Sequence, residues 1–527
     1  MLRGILTVGG WTAVSRILGF LRDMLIAAFA GTGPVADSFF IALRLPNLFR
    51  RLFGEGAFNA AFVPEFTGLH ANAGQPTAQR FAEEAFSLMA VWLGLLTVLG
   101  EIFMPAIMYV LAPGFEAIPG KEHLVVELAR LTFPYLVFIC LAALFSGVLN
   151  SLGRFAAAAA APVVFNAVMI AAMLFLTPFV PTVGHALAWG VSASGVLQLG
   201  LLIYATRRAG VVLRFRAPRL TPDMRRLLRR MGPGLVGAGA TQLNLAVDTI
   251  IISWLPPGSA SLLNYADRVN QLPLGVIGTA LGTALLPLLS RQARSGDTEG
   301  ARETLNRAVE MAVAITLPAA CALVVAGNPI MLALFVRGAF SASAAHLAAQ
   351  SLAAYGIGLP AFVLLKVLVP AFFAHGDTRT PMRVGLFAIA LNLVLNILFM
   401  VPLRHIGPAL ATSLSAMTNV SILAVLLTRR RWFTADHRLR RRLPRMALAA
   451  AAMTAVLWLA EDTVFNPLSK LPAGHAVALG ALILIGIAVY GFIAHLLGAV
   501  RVDEALAVLR RRNARLTPRS VKATTQP

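Results

Sequence analysis

Nine charged residues stand in one apolar stretch near the start of the sequence, and their types and spacing define the chemistry first. Between Ser15 and Phe66, Arg16, Arg22, Asp23, Asp37, Arg44, Arg50, Arg51, Glu55 and Glu65 interrupt runs such as ILGF, MLIAAFA and SFFIAL. A charged side chain at the centre of a bilayer costs about 2.5–3.5 kcal/mol on insertion scales, so such groups face a wet cavity or one another. Arginine presents a planar fork of donors suited to phosphate and carboxylate oxygens. The excess of arginine therefore predicts a cavity built for an anion.

Helical spacing orders these groups. Residues seven apart lie nearly on one face, about 10.5 Å along the axis, which relates Arg16 to Asp23 and places Arg22 on another face. Asp37, Arg44 and Arg51 form a seven-residue ladder, with Glu55 one turn beyond. Pro46 removes a backbone hydrogen bond inside this segment, so whether Arg50 or Arg51 faces the cavity stays open. Further along, Asp248 lies in TQLNLAVDTIIISW, Asp267 and Arg268 in NYADRVNQLPLG, and Lys366 in AFVLLKVLVPAFF. A competing structural reading lets Arg50 and Arg51 snorkel to headgroups and makes Arg16–Asp23 and Arg51–Glu55 helix-locking ion pairs. Asp248 has three readings: ligand for a coupling ion, cavity wall, or partner of a distant arginine.

The elements that position these residues follow from composition. Of 527 residues, 58% are hydrophobic and 13% charged, and the mean hydropathy is +0.76. Apolar windows of about 20 residues, long enough to span a hydrocarbon core of about 30 Å, recur throughout. This predicts an all-α, polytopic membrane protein; a transmembrane barrel needs alternating segments of about ten residues. Fourteen transmembrane helices are expected, near 5–30, 36–66, 81–112, 124–151, 157–181, 184–206, 225–254, 260–290, 303–335, 344–374, 381–401, 407–428, 444–462 and 473–498. Met1 to Ala30 resembles a signal peptide, but its charges mark it as a retained first span.

The net charge of +22 collects beside spans, in Arg207–Arg230, Arg429–Arg445 and the segment from Arg501. Such clusters are topological signals that interact with anionic lipid headgroups, and they exclude nucleic acid as a partner in the absence of any nucleic-acid-binding motif. The loops rich in arginine alternate with loops such as GTGPV and NPLSKLP, which places both termini in the cytoplasm. Cys140 and Cys321 sit in separate apolar spans and form neither a disulfide framework nor a metal site. No GxxxxGK[ST] or HExxH motif occurs, so the chain is expected not to be an enzyme and to hold no metal.

An internal repeat runs at an offset of roughly 223–227 residues. GHALAWGVSASGVLQLGLLIYATRR, from Gly184, matches GPALATSLSAMTNVSILAVLLTRR, from Gly407. Asp23 pairs with Asp248, Pro46 with Pro273, Pro134 with Pro360, Gly153 with Gly376, and Asn166 with Asn392. Six spans per repeat give both halves the same orientation, hence two six-helix bundles related by a pseudo-two-fold along the membrane normal. The expected domains are an N-terminal lobe (1–208), a C-terminal lobe (209–430), an additional helix pair (431–500) and a basic tail (501–527).

The N-terminal block GWTAVSRILGFLRDMLIAAFAGTGPVADSFFIALRLPNLFRRLFGEGAFNAAFVPEF closely resembles the MurJ (MviN) family of bacterial lipid II flippases. YADRVNQLPLGVIGTALGTALLP, LFVRGAF and YGIGLPAFVLLKVLVPAFFAHGDTRTP agree with it, and the resemblance covers nearly the whole chain. It implies the multidrug/oligosaccharidyl-lipid/polysaccharide exporter fold, with a final helix pair whose groove holds a polyprenyl tail. The family's cavity arginines fall on Arg16, Arg22, Arg50 and Arg268, with Arg44 and Arg51 beside them as substrate-binding residues. Its acids fall on Asp37 and Glu55, joined as charge partners by Asp23 and Asp267. Gln271 stands where some members carry glutamate, and Asp248 is the acid suited to a Na+ or H+ coupling site.

The resemblance implies flipping of lipid II in the bacterial inner membrane, by alternating access driven by membrane potential or an ion gradient, with cell-wall synthesis enzymes as further partners. Three alternatives stand beside it: a flippase for another polyprenyl-linked saccharide, a cation-coupled multidrug exporter of the same superfamily, and a membrane scaffold without transport.

Overall fold

A computed structural model of the chain describes residues 2–51, 57–471 and 474–499. Every regular element among the described residues is helical. α1 (Leu2–Ala30) ends where Gly31 adopts φ +58, and Pro34 opens α2 (Pro34–Phe49). A proline at the first helical turn lacks only an N–H that has no intrahelical partner there. Then follow α3 (Ala57–Ala73), α4 (Gln75–Ile102), α5 (Met104–Leu111), α6 (Lys121–Thr132), α7 (Tyr135–Ser151), α8 (Ala156–Ala171) and α9 (Val183–Arg208). The remainder comprises α10 (Pro222–Ser253), α11 (Ser259–Arg294), α12 (Thr298–Val325), α13 (Gly327–Phe335), α14 (Ala342–Ala374), α15 (Arg379–Met400), α16 (Ile406–Arg429), α17 (His437–Ala460), α18 (Asn466–Ser469) and α19 (Gly474–Leu496).

Among the described residues, ten helical segments are long and apolar enough to cross a membrane. The expected spans near 5–30, 36–66, 225–254 and 260–290 are not among them. These four carry the intramembrane charges at Arg16, Asp23, Asp37, Asp248 and Asp267. Of the expected span 36–66, the described residues give α2 to Phe49, a wider turn at Arg50 and Arg51, and α3 from Ala57; residues 52–56 lie outside the described residues. The proposed tail from Arg501 lies outside the described residues.

The described chain forms two compact units. The first comprises the residues up to Val269 with Met331–Tyr355 and Leu386–Ser415. In it α1 packs on α8, α7 and α8 on α9, α2 on α6, and α3 on α4, α7 and α10. A Cβ at Gly195 would sit 2.8 Å from the Tyr135 ring, and one at Gly190 2.8 Å from Ala172. Small residues at these points let helices approach closely, the main packing device where lipid is as apolar as the core. Phe58, Phe62 and Phe66 stack along α3 at centroid distances of 5.0 and 5.7 Å and join Phe81 of α4.

The second unit comprises Asn270–Ile330, Gly356–Gly385 and the described residues from Ala416 onward. α12 packs on α17, and α17 on α19. The Tyr490 hydroxyl of α19 donates to the Ala314 carbonyl at 2.8 Å. Gly153 and Gly376, equivalent in the repeat, both adopt positive φ (72 and 75) just beyond α7 and α14. At both places the chain turns through the left-handed region, where glycine meets no Cβ penalty.

Candidate functional site

Three nodes in the first unit are built on Asp23, Asp248 and Asp37. At the first, Arg22 of α1 donates to Asp23 Oδ1 through Nε (3.0 Å) and Nη2 (2.6 Å). Its remaining arm reaches Asn166 Oδ1 of α8 at 2.9 Å, while Asn166 Nδ2 donates to the Ser15 carbonyl at 3.0 Å. The guanidinium also lies 5.4 Å from the Phe165 ring centroid. Arg268 of α11 approaches the other Asp23 oxygen at 3.3 Å. Two guanidinium groups thus share one buried carboxylate, and the node keeps one net positive charge. The Arg268 side chain is 41% exposed, which leaves its outer donors available.

The Arg16–Asp23 ion pair of the competing structural reading does not form. Arg16 is exposed and makes no ion pair among the described residues. A seven-residue separation puts the two about 10.5 Å apart along the axis, beyond contact, whereas Arg22 folds back on its own neighbour.

At the second node, Arg44 of α2 donates to Thr249 Oγ1 of α10 at 2.9 Å and lies within electrostatic reach of Asp248, Asp267 and Tyr355. Asp248 is ringed by amides. Asn396 Nδ2 donates to it at 3.0 Å and Asn244 Nδ2 at 3.2 Å; with its amide turned, Asn392 donates at 3.2 Å. Asn392 is the repeat counterpart of Asn166, but only Asn392 faces its acid directly. In the first copy an adjacent arginine, Arg22, stands between Asp23 and Asn166. In the second, Val247 stands at that place.

The third node corrects an expectation. Asp37 was assigned to hold arginines; it instead pairs with Lys121 of α6 at 2.9 Å, both side chains 1% exposed. Asp37 also accepts from the Gly258 N–H (2.7 Å), the Ser261 N–H (2.9 Å) and the Ser261 hydroxyl (2.9 Å). Four donors saturate the carboxylate. Close by in sequence, the buried Tyr265 hydroxyl donates to the Gly31 carbonyl at 3.1 Å and the Ala339 N–H to the Ala28 carbonyl at 2.7 Å. Phe40, Phe335 and Phe340 surround Tyr265 at 5.4–5.5 Å. These contacts latch the α1–α2 turn to the start of α11 and to the α13–α14 turn.

Arg50 is half-buried and donates to Asn47 Oδ1 at 3.2 Å; Arg51 is exposed. Glu55 lies outside the described residues, and Gln271 is exposed. In the second unit, Lys366 lays its stem over the backbone of Gly278 and Gly282. Sequence reasoning missed Lys121, which it read as part of a loop, and the amides Asn166, Asn244 and Asn396. Rarity was the available signal for Lys121: the chain has four lysines among 45 basic residues.

The helices of the described residues, ten of them long and apolar enough to cross a membrane, define a multi-pass membrane protein whose fold is shared by multidrug transporters. An inward-facing MATE family transporter of the MOP superfamily superposes with TM-score 0.63 at 15% identity, over 79% of this chain and 94% of that one. Residues 26–471 match the family described as "Lipid II flippase MurJ". A probable lipid II flippase MurJ of Rhizobium meliloti (strain 1021) is 43% identical over 511 residues, covering 96% of this chain and 95% of the relative. The one from Rickettsia prowazekii (strain Madrid E) is 34% identical over 94% of this chain and 97% of the relative. A solved lipid II flippase MurJ in an inward closed conformation aligns with TM-score 0.76 and 25% identity, over 93% of this chain and 98% of that one. The chain belongs to the lipid II flippase MurJ family.

Proposed function

We propose that this chain flips lipid II, the undecaprenyl-diphosphate-linked peptidoglycan precursor, from the cytoplasmic to the periplasmic leaflet. The observation that carries the reading is the Asp23 node, where Arg22 and Arg268 share a single carboxylate. Asp23 fixes the Arg22 fork by hydrogen bonds, lies in ion-pair range of Arg268 and cancels one charge, so the site stays positive. A diphosphate completes the neutralisation through charge-assisted hydrogen bonds. Arg16, Arg44, Arg50 and Arg51 extend this binding, and Asp267 and Glu55 serve as further charge partners. The chemistry is relocation, with no bond made or broken.

Fourteen spans in two six-helix lobes with a terminal pair, both termini cytoplasmic, give the frame for alternating access. The Asp37 latch supplies the closed side. Opening it exchanges the Gly258 and Ser261 bonds for water, while Lys121 on the neighbouring α6 stays with the carboxylate. Substrate charge in the cavity shifts the balance between the two states. Moving net charge across the field couples the cycle to membrane potential, worth about 2.3 kcal/mol per charge per 100 mV.

Asp248 is the candidate coupling group for H+ or Na+. Its carboxylate and three amides replace the tethered cation of the first node, and turning amide oxygens inward would offer a cation an oxygen shell. The terminal pair holds the polyprenyl tail, and cell-wall synthesis enzymes take up the delivered precursor.

Purified protein in proteoliposomes with labelled lipid II tests the reading. Transfer to the far leaflet that Arg268→Ala abolishes is the expected result. Equal transfer by protein-free vesicles, or by the variant, would reject it.

A further inference from the structure

Each repeat is followed by an arginine-rich segment, and in each unit helix residues at matching repeat positions hold the chain that follows. After α9, the non-helical run 210–216 lies along α4. Gln75 Nε2 donates to the Gly210 carbonyl (3.1 Å) and Gln79 Nε2 to the Val212 carbonyl (2.7 Å). Glu83 accepts from the Arg214 N–H (3.4 Å) and from Arg216 Nε, and Ser87 Oγ accepts from the Arg216 N–H (2.8 Å). Four helix positions at i, i+4, i+8 and i+12 thus meet alternate strap residues 210, 212, 214 and 216. The match is metric: four helical residues rise about 6 Å, and two extended residues span about 6.6 Å.

The second unit repeats the device at an offset of 227, the offset that relates Pro46 to Pro273. Arg302 of α12, equivalent to Gln75, donates to the Arg431 carbonyl through Nε at 2.9 Å. Asn306, equivalent to Gln79, donates to the Thr434 carbonyl at 3.0 Å and accepts from the Asp436 N–H at 3.1 Å. Glu310, equivalent to Glu83, accepts from Arg307 (2.5 Å), Arg438 (3.2 Å) and Arg442. Asp436 caps α17 through the Leu439 N–H at 2.6 Å and also takes Arg307. Glu83 and Glu310 are both buried, at 2% and 7% exposure.

We propose that Glu83 and Glu310 are matched clamp residues, each fastening the segment that leaves its repeat to that repeat's third span. A buried carboxylate surrounded by guanidinium and N–H donors is a strong anchor, because removing it strands buried donors. Glu310 thereby makes the start of α17 part of the second unit, so that the terminal pair travels with α12. Glu83 likewise holds the segment before α10 on α4. Both are positioning residues that touch no substrate. The clamps stand on geometry alone; their bearing on transport rests on the flippase reading above.

Limited trypsin digestion of the purified full chain in detergent tests the clamps, since arginines line the first strap and the start of α17. Glu310→Gln should raise cleavage at Arg438–Arg441 at least tenfold and leave Arg214–Arg219 protected. Glu83→Gln should do the reverse. Glu310→Asp, which keeps the charge facing Arg307, Arg438 and Arg442, should be cut far less at Arg438–Arg441 than Glu310→Gln. Unchanged cleavage in Glu310→Gln, simultaneous opening of both segments by either variant, or equal cleavage of Glu310→Asp and Glu310→Gln overturns the proposal. In proteoliposomes, Glu310→Gln should slow lipid II flipping several-fold and Glu310→Asp should retain most of it. Altered cleavage with unaltered flipping would remove the coupling to transport and leave the flippase reading intact, because wild-type flipping measures that separately.

Discussion

Lys121 Nζ lies 2.9 Å from Asp37 Oδ2 and 3.8 Å from the centre of the Phe115 ring, with both charged side chains 1% exposed. Lysine suits this position because its ammonium is a compact point charge on a slender stem. The pair joins α2 to α6. Removing one partner leaves an uncompensated buried charge, a loss of about 3–5 kcal/mol in comparable pairs. Lys121→Met should therefore lower the thermal midpoint and membrane level sharply. Adding Asp37→Asn should recover much of the midpoint without restoring flipping. A single variant as stable as wild type would contradict this account.

Arg268→Ala should abolish support of wall synthesis in a depletion strain at near-normal membrane levels. Its side chain is partly exposed and its partner Asp23 keeps Arg22, so insertion and folding lose little. Arg268→Lys should also be weak, since an ammonium lacks the planar fork. Full complementation by Arg268→Ala would remove it from the binding site.

Acid should unlock a surface junction before it affects the core. Hydrogen bonds from Thr380, then the Arg430 guanidinium, hold the Asp377 carboxyl well below its ordinary range. A carboxyl depressed in the folded state contributes stability above its unfolded pKa, near 3.8, and that contribution fades as pH falls through the folded value. Thermal midpoints measured from pH 7 down to 3 should fall more steeply for wild type than for Asp377→Asn. Parallel curves would show that the junction contributes nothing.

Asp248→Asn should keep lipid II binding and lose the dependence of flipping on an imposed Na+ or proton gradient. The carboxylate is the only acid in its amide ring, so the substitution removes the charge and keeps the shape. A variant that responds to both gradients as wild type does would exclude Asp248 as the coupling group.

The sequence made the helices and the charged interior legible because apolar runs and their interruptions are local properties. Long-range choices were hidden. The heptad aligned Arg16 with Asp23, yet contact needs side chains to meet, and Arg22 reaches Asp23 more easily than a residue two helical turns away, about 10.5 Å along the axis. Asp37 chose Lys121, 84 residues distant, through a packing of α2 on α6 that no periodicity encodes. Gly153 and Gly376, which the repeat aligns, share a backbone conformation, with φ of 72 and 75. Duplication carries tertiary information that composition lacks.

The Asp37 latch also separates alternating access from a static pore. Ser38 is buried beside Asp37 with its hydroxyl unpaired, and Ser261 donates to that carboxylate. Ser38→Cys with Ser261→Cys, in a background carrying Cys140→Ala and Cys321→Ala, places two thiols in the closed side. Oxidation should crosslink them while the latch is shut, hold the protein in that state and stop flipping of labelled lipid II. Reduction should restore it. If opening the latch is an obligatory step, the fraction of protein crosslinked and the fraction of activity lost should rise together. Efficient crosslinking with undiminished flipping would mean that the substrate crosses by a route in which this latch never opens.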